Sequence, residues 1–589
     1  MGEVPFNFLS HLERETGRIA RECCGFGVDF QPIVRVADMR FGDFQVNGIL
    51  PYGKRHGADP RQLAGQLLVA LEGESNFSSF AEVEVSGAGF LNITLRVAAL
   101  GGWLAAYGGA EDFRRAAIAA MAVAGRRVVL DYSCPNSAKQ MHVGHLRSLV
   151  IGDCLYRLLS FLGAKVIRDN HIGDWGTQFG ILLRQLRLEG VRLSAVPQEE
   201  TLDLLESLYR RGNAEVDRSP EALAEARREL VALQGGDPER LALWKKINEL
   251  SYASFQKIYD LADVQFDLVL GESFYRNSVA RVYDELLDCS IAQEDDGALA
   301  VFHGEHKRFR EQPFLVRKSD GTSNYAATDL ATVLYRMETL GAEEILYVTD
   351  GRQRDHFEQL FLTVKKWFAA KNYPLPTLRH LWFGTVCGDD GKAIKTRSGE
   401  PVRLQELFDS AIGRAGEILR GKNPNLPADE RTVIARAVGV GALKYGDLSQ
   451  NRTSDYVFSL EKMLSFDGNT APYLQYAVAR GRAVRRRADG EALRPGTKLE
   501  PATTEERVLA HRLLLFPVAL AMALEDLHPH LLCSYLYDLA CEFSSFYDSS
   551  RIFGDEKEVA ERRLGLCEIT VNFLATGLQL LGIEPLDRM

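Results

Sequence analysis

The sequence predicts a multidomain α/β protein: a doubly wound parallel sheet carrying a helical insertion, with a small α+β unit before it and an all-α domain after it. Three observations predict this. Two strand–helix–strand passages are separated by a Leu-, Glu-, Arg- and Ala-rich stretch at helical spacing. Their strands are short apolar runs ending in turn residues, as buried parallel strands are. From about residue 430 to residue 589 the pattern is wholly helical.

Residues 1–110 supply the α+β unit. A helical stretch, Phe8–Cys23, leads to Ala81–Leu95, where Val83, Val85, Phe90, Leu91, Ile93 and Leu95 suggest strands about the turn Ser86-Gly-Ala-Gly89. The sheet domain spans 111–425. A linking helix over 111–123 precedes a strand at 127–133, a helix from about His145 to Phe161 and a strand at Lys165–Arg168. The insertion occupies about 180–265. The second half then reads strand Pro313–Lys318, helix Thr328–Met337, strand Glu344–Thr349, helix Asp355–Phe368 and strand Leu378–Phe383. A boundary near Gly421–Pro427 opens the helical domain, 426–589.

Composition is that of an average globular chain, with 46% apolar and 25% charged residues. That excludes a disordered chain and a fibrous repeat. No apolar stretch reaches the ~18 residues of a membrane span, and Pro517 breaks the longest candidate, Leu513–Leu524. The N-terminus lacks the basic and apolar regions of a secretory signal. The nine cysteines are scattered and form no Cys-x-x-Cys pair, so no zinc ribbon is expected and a reduced, cytoplasmic chain is. Net charge is −10, but a polyanion responds to the local patch within a Debye length of ~8 Å.

The strongest local signal is Asp131-Tyr-Ser-Cys-Pro-Asn-Ser-Ala-Lys-Gln-Met-His-Val-Gly-His145, between a strand and its helix. Open parallel sheets bind ligands at such loops. His142 and His145 straddle Gly144 at the helix start, where Gly lets a ligand approach and free N–H groups favour anions. With Lys139 they suit a polyphosphate whose α-phosphorus is under attack. Half of a His-x-x-His metal site, or two structural histidines, are the alternatives.

The stretch Ser133-x-Pro-Asn-x-Ala-Lys-x-Met-His-Val-Gly-His145 resembles the first signature of class I aminoacyl-tRNA synthetases, and in detail that of the arginyl-tRNA synthetase family. The resemblance continues through Asp169–Gln178, Gly271–Ser273, Asn324–Leu330, Tyr347–Gln353, Lys395–Gly399 and Leu464–Tyr476. It implies a Rossmann-type catalytic domain and a cytoplasmic ligase that joins L-arginine to tRNA(Arg). ATP would be consumed, with Mg2+ on the nucleotide and no protein metal site, through an arginyl-adenylate whose formation needs the tRNA. It implies a monomer with neither DNA nor membrane as partner. By resemblance Lys139, His142, His145 and Lys395 are catalytic, and Gly144, His356 and Arg397 join them around ATP. The second signature, Gly391-Lys-Ala-Ile-Lys-Thr-Arg-Ser-Gly399, lacks one expected lysine, which Lys139 would replace. Spacing does not say which of Lys392, Lys395 and Arg397 touches phosphate, and Gly388–Lys392 also reads as a plain hairpin turn.

A guanidinium is a planar fork of five donors that pairs with carboxylates. Tyr325 and Asp329 lie at i and i+4 on one helical face, and Glu272 follows a strand. By resemblance Glu272 and Asp329 take the guanidinium, Tyr325 and Gln353 line its pocket, and Ser133 and Asn136 hold the α-amino and carboxylate end. Buried carboxylates reject a substrate that cannot pair them by ~10⁴–10⁵, so no editing domain is needed, and the insertion is too short to be one. Tyr473, Tyr476 and Arg480 share a helical face that suits unstacked RNA bases, or is core and solvated surface. By resemblance this helix, with Tyr547 and Met589, binds the anticodon, and the N-terminal unit meets the tRNA elbow. A silent tRNA-binding paralogue and a small adenylyltransferase are the competing readings. The intact histidines and carboxylates oppose the first, and the helical domain opposes the second.

Overall fold

The computed structural model describes residues 4–193, 196–319, 325–395, 401–488, 497–553 and 556–589, with 198 and 199 described for backbone alone. Two compact units result. One comprises 125–422 and 450–461; the other comprises 1–124, 423–449 and 462–589.

In the first unit four parallel strands lie in the order Thr377–His380, Glu344–Tyr347, Arg127–Asp131, Lys165–Asp169. The chain starts in the middle at Arg127–Asp131 and steps outward to Lys165–Asp169 through the helix Val143–Phe161. It then returns to the opposite side of the first strand. This reversal makes the sheet doubly wound, and a ligand crevice forms where the strand order reverses. The crevice lies beyond Asp131 and Tyr347, which are register partners. Val129, Ile345, Leu330 and Trp367 belong to the core beneath one face of the sheet.

Four helices, Thr177–Leu188, Gln198–Val216, Pro220–Gln234 and Pro238–Ala262, form the insertion. They bury a core of their own that includes Phe179, Leu186, Leu205, Leu208 and Ile247.

One strand departs from its expected place. Phe314–Arg317 pairs antiparallel with Ala298–Val301 in a separate three-stranded sheet completed by Ala292–Asp295. Leu315 is 38% exposed while Phe314 and Val316 are buried, the alternation of a one-sided antiparallel strand. The Asp296-Gly297 turn between its partners takes positive φ at both residues, the geometry a tight hairpin requires.

In the second unit, the strands Ala81–Ser86 and Phe90–Leu95 form a sheet with Val34–Val36 and Phe44–Val46, two three-residue strands too short to register as periodic runs. Its helices pack around Trp103, Phe113, Phe516 and Phe573. Contrary to the sequence expectation, one run, Thr504–Glu525, has the length and apolar composition of a membrane span. Pro517 sits in the first turn of the second of its two helices, where a missing N–H costs nothing, and 67% of the run's apolar 18-residue window is buried.

Candidate active site

The loop after Arg127–Asp131 is held under strain. Ser133, Cys134 and Ala138 all take positive φ without being glycine, a conformation kept only where surroundings over-determine it. Ser148 does part of this work: its hydroxyl accepts from Ser133 N at 2.8 Å and donates to the Val348 carbonyl at 2.6 Å, tying the loop to the neighbouring strand's end. Tyr259, from the insertion, shares a 3.0 Å hydrogen bond with the Ser133 hydroxyl and accepts from Asn170 at 2.9 Å. Ser133 is therefore buried with its hydroxyl engaged, and holds the loop. Asn136 is exposed, and its amide occupies the space a side chain on Gly173 would fill, 2.1 Å from an ideal Cβ there.

His142 and His145 build the N-terminus of the helix Val143–Phe161 as a reciprocal capping box. Gly144 N donates to His142 Nδ1, and His142 N donates to His145 Nδ1, both at 3.1 Å. His142 Nδ1 accepts from a backbone N–H, so its Nε2 carries the ring proton, while His145 Nδ1 lies between His142 N and, at 3.3 Å, the His142 carbonyl oxygen. Burial, with Lys139 and Arg352 nearby, lowers the His142 pKa. Burial, followed by His142, takes His145 down to about 3. Both rings are thus neutral, and His142 presents its Nε2–H as a donor. Gly144 has to be glycine, since a Cβ would stand 2.9 Å from the His142 ring.

Lys139 extends over the ring of Tyr209 in the insertion, 4.7 Å from its centroid. The second signature begins as a hairpin: Gly388 N donates to Lys392 O, and Gly391 takes φ +72°. Lys395 is exposed beyond that turn. Arg397 lies outside the described residues. The far end of this loop is tied to the first signature, with Val143 N donating to Val402 O and Leu404 N to Met141 O, both at 2.9 Å.

On the other side of the crevice Glu272 opens a short helix, Glu272–Tyr275. The buried carboxylate of Asp174 fixes that turn by accepting from Ser273 N at 2.9 Å and Ser273 Oγ at 2.7 Å. Burial first, then Asp329 and Asp174, push the Glu272 carboxyl up to about 7, against the opposing pull of His171. Asp329 accepts a 2.6 Å hydrogen bond from His356 Nε2. Tyr325, 61% exposed, packs edge-on to His356 at 4.8 Å. Gln353 ends a 3-10 turn and is exposed. Among the described residues, neither Glu272 nor Asp329 pairs with a lysine or arginine. The structure thus places His356 against Asp329 and Tyr325.

The floor is ionic. Asp131 and Asp169, register partners at the carboxyl ends of adjacent strands, both accept from Arg336, at 2.6 and 2.8 Å. Arg336 is fully buried. This triad, with Asp174, Tyr259 and Ser148, escaped sequence reasoning, because the spacing of a strand-end aspartate does not name its partner some 200 residues away.

The catalytic-domain model of class I tRNA synthetases specific for arginine (R) matches residues 115–460. The chain belongs to the arginyl-tRNA synthetase family. The family's N-terminal domain model matches 13–95, and the DALR anticodon-binding domain model matches 474–589. An arginine–tRNA ligase of Cellvibrio japonicus is 42% identical, over 97% of this chain and 98% of that one. One from Erwinia tasmaniensis is 41% identical over 96% and 97%. The arginyl-tRNA synthetase structures of Plasmodium falciparum and Thermus thermophilus align with TM-scores of 0.82 and 0.80, each at 27% identity and 99% of this chain. These cover 99% and 100% of those chains. The activity of this family is the ATP-dependent charging of tRNA with arginine.

In the second unit of this arginyl-tRNA synthetase, Arg480 lies between two rings, 5.0 Å from Tyr476 and 5.1 Å from Tyr547. A cavity of about 580 Å³ opens beside it, with Asn425, Tyr476, Arg480, Arg486 and Met589 in its lining. Tyr473 points elsewhere: its hydroxyl contacts Ser544 at 3.3 Å, and its ring packs near Tyr537.

Proposed function

We propose that charging proceeds by two steps, arginyl-adenylate formation and transfer to the tRNA's terminal ribose, and that the first step needs bound tRNA. The observation that carries the substrate half is the pair Glu272 and Asp329, buried or half-buried carboxylates with no lysine or arginine partner among the described residues. A guanidinium supplies the missing cation and matches carboxylates in its plane. Arginine bound there places its carboxylate toward the strained Ser133–Asn136 loop, with the Asn136 amide free to orient it.

His142 then donates Nε2–H to the triphosphate, with the neutral ring of His145 beside it. Neutral donors held by the backbone stabilise charge developing on the phosphate without reorganising. Lys139 supplies the positive charge, joined by Lys395 and Arg397 from the second signature. Among the described residues no cluster of His, Cys, Asp or Glu could hold a metal. Mg2+ bound with the nucleotide would neutralise phosphate charge. No side chain forms a covalent bond, so the rate comes from positioning and electrostatics.

On the RNA side, the Tyr476–Arg480–Met589 cavity receives an unstacked anticodon base, with ring and guanidinium planes as its stacking surface. The test is arginine-dependent ATP–pyrophosphate exchange, with and without tRNA. Exchange near background without tRNA and robust with it is expected. Equal exchange in both removes the tRNA requirement, and exchange with another amino acid but not arginine removes the pocket assignment.

A further inference from the structure

We propose that His171 is a third acceptor for the substrate guanidinium and thereby helps determine specificity, presenting Nε2 beside Asp329 and Glu272. The inference rests on the arginine-pocket reading above. His171 follows the strand Lys165–Asp169 by two residues. Its Nδ1 lies 3.1 Å from the carbonyl oxygen of Leu270. A carbonyl oxygen only accepts, so Nδ1 carries the proton; with the ring neutral once arginine is bound, as the proposal requires, Nε2 is the acceptor. That Nε2 is buried without a hydrogen-bond partner, 3.9 Å from Asp329 Oδ1.

The ring is fixed from several sides. It packs 5.5 Å from Tyr275, and the backbone N–H of His171 meets the buried Cys134 sulfur. Glu272 N donates to Ile172 O at 3.1 Å, so the histidine and the glutamate are joined through adjacent residues. The carboxylates of Asp174 and Asp169 complete the field around the ring. The nearby cation Arg336 is committed to Asp131 and Asp169.

The result is a cluster of acceptors. A guanidinium brings five N–H groups spread across a plane, and an ammonium brings three from one atom. Acceptors at three separate points, Glu272, Asp329 and His171, fit the first and leave one unpaired with the second. An unpaired buried acceptor is how a hydrogen-bonding pocket rejects the wrong substrate.

Glutamine and asparagine separate the two ring nitrogens. His171→Gln can place an amide oxygen near the position of Nε2, whereas His171→Asn reproduces only the Nδ1 position and keeps the bond to Leu270. Both are polar and smaller than histidine. The measurement is KM for arginine and for ATP in tRNA charging, with Glu272→Gln as a parallel control. His171→Asn is expected to raise the arginine KM by ~10- to 100-fold with the ATP KM within about twofold, and His171→Gln to recover most of that loss. An arginine KM unchanged in His171→Asn overturns the proposal. So does an equal rise in both variants, or a parallel rise in the ATP KM, since either marks a merely structural ring. If Glu272→Gln also leaves the arginine KM unchanged, the pocket reading itself fails. If Glu272→Gln raises it while His171→Asn does not, the pocket stands and only the role of His171 falls.

Discussion

The carboxylate of Asp329 accepts a 2.6 Å hydrogen bond from Nε2 of His356. The His356 ring is itself wedged between Tyr325 and Phe314, at 4.8 and 5.7 Å. A carboxylate with one oxygen held this way offers the other in a fixed direction, which is how a supporting residue positions a substrate contact. His356→Ala is expected to raise the arginine KM by about tenfold, with the ATP KM little changed. Steady-state charging kinetics at varied arginine and varied ATP check this. A rise confined to the ATP KM would return His356 to the nucleotide.

Glu272 makes the pocket pH-sensitive. Its carboxyl, ordinarily near 4.5, is pushed up to about 7 by burial and by the neighbouring carboxylates. A raised acid favours the fold while protonated: the unfolded chain loses that proton near 4.5, the folded one only near 7. Stability therefore falls as pH rises between those values, by on the order of 3 kcal/mol for the arginine-free protein. Bound guanidinium pairs with the anion and removes that penalty. Arginine affinity should rise with pH through about 7, by up to ~10-fold per unit below it. Saturating arginine should raise Tm more at pH 8 than at pH 6. Thermal unfolding with and without arginine at the two pH values checks it, and Glu272→Gln should flatten the difference.

The double winding was legible because it is written in local pattern. The apolar runs 127–131, 165–169 and 344–347 end in turn residues. Phe314–Arg317 has the same outward form, but its sheet membership depends on the Ala292–Val301 hairpin, a non-local pairing that no periodicity announces. In the site, residue types at fixed spacing announced His142, Gly144 and His145. The backbone bonds that hold the two rings were not legible, since they follow from cap geometry. Nor was the bond of Ser133 to Tyr259, whose partner stands 126 positions further on.

Lys139 is within electrostatic reach of both signature histidines and rests on the Tyr209 ring, 4.7 Å away. A lysine that only packs against a tyrosine contributes to stability. One that neutralises the triphosphate in the transition state contributes to kcat. Lys139→Ala is expected to lower kcat by ~10²-fold, with tRNA affinity nearly unchanged. Single-turnover charging and a tRNA binding isotherm separate the two roles. A kcat near wild type with a lowered Tm would reduce Lys139 to packing.

Arg480 is held face-on by Tyr476 and Tyr547, with Asp548 only 4.0 Å from its guanidinium. The exposed Tyr476 ring and the neighbouring 580 Å³ cavity leave room for a base beside this stack. A guanidinium so placed can serve as a stacking plane and as a phosphate contact, and the two uses differ in salt dependence. Phosphate contact releases counterions, so its loss lowers the slope of log K against log[salt] by about 1, whereas loss of stacking leaves the slope unchanged. Arg480→Ala is expected to weaken tRNA binding by about tenfold and to reduce the slope, because Asp548 only partly neutralises the charge. Tyr476→Ala should weaken binding at constant slope. Filter-binding titrations at several salt concentrations distinguish the pair. Unchanged affinity in both variants at low salt would make this helix core and solvated surface alone.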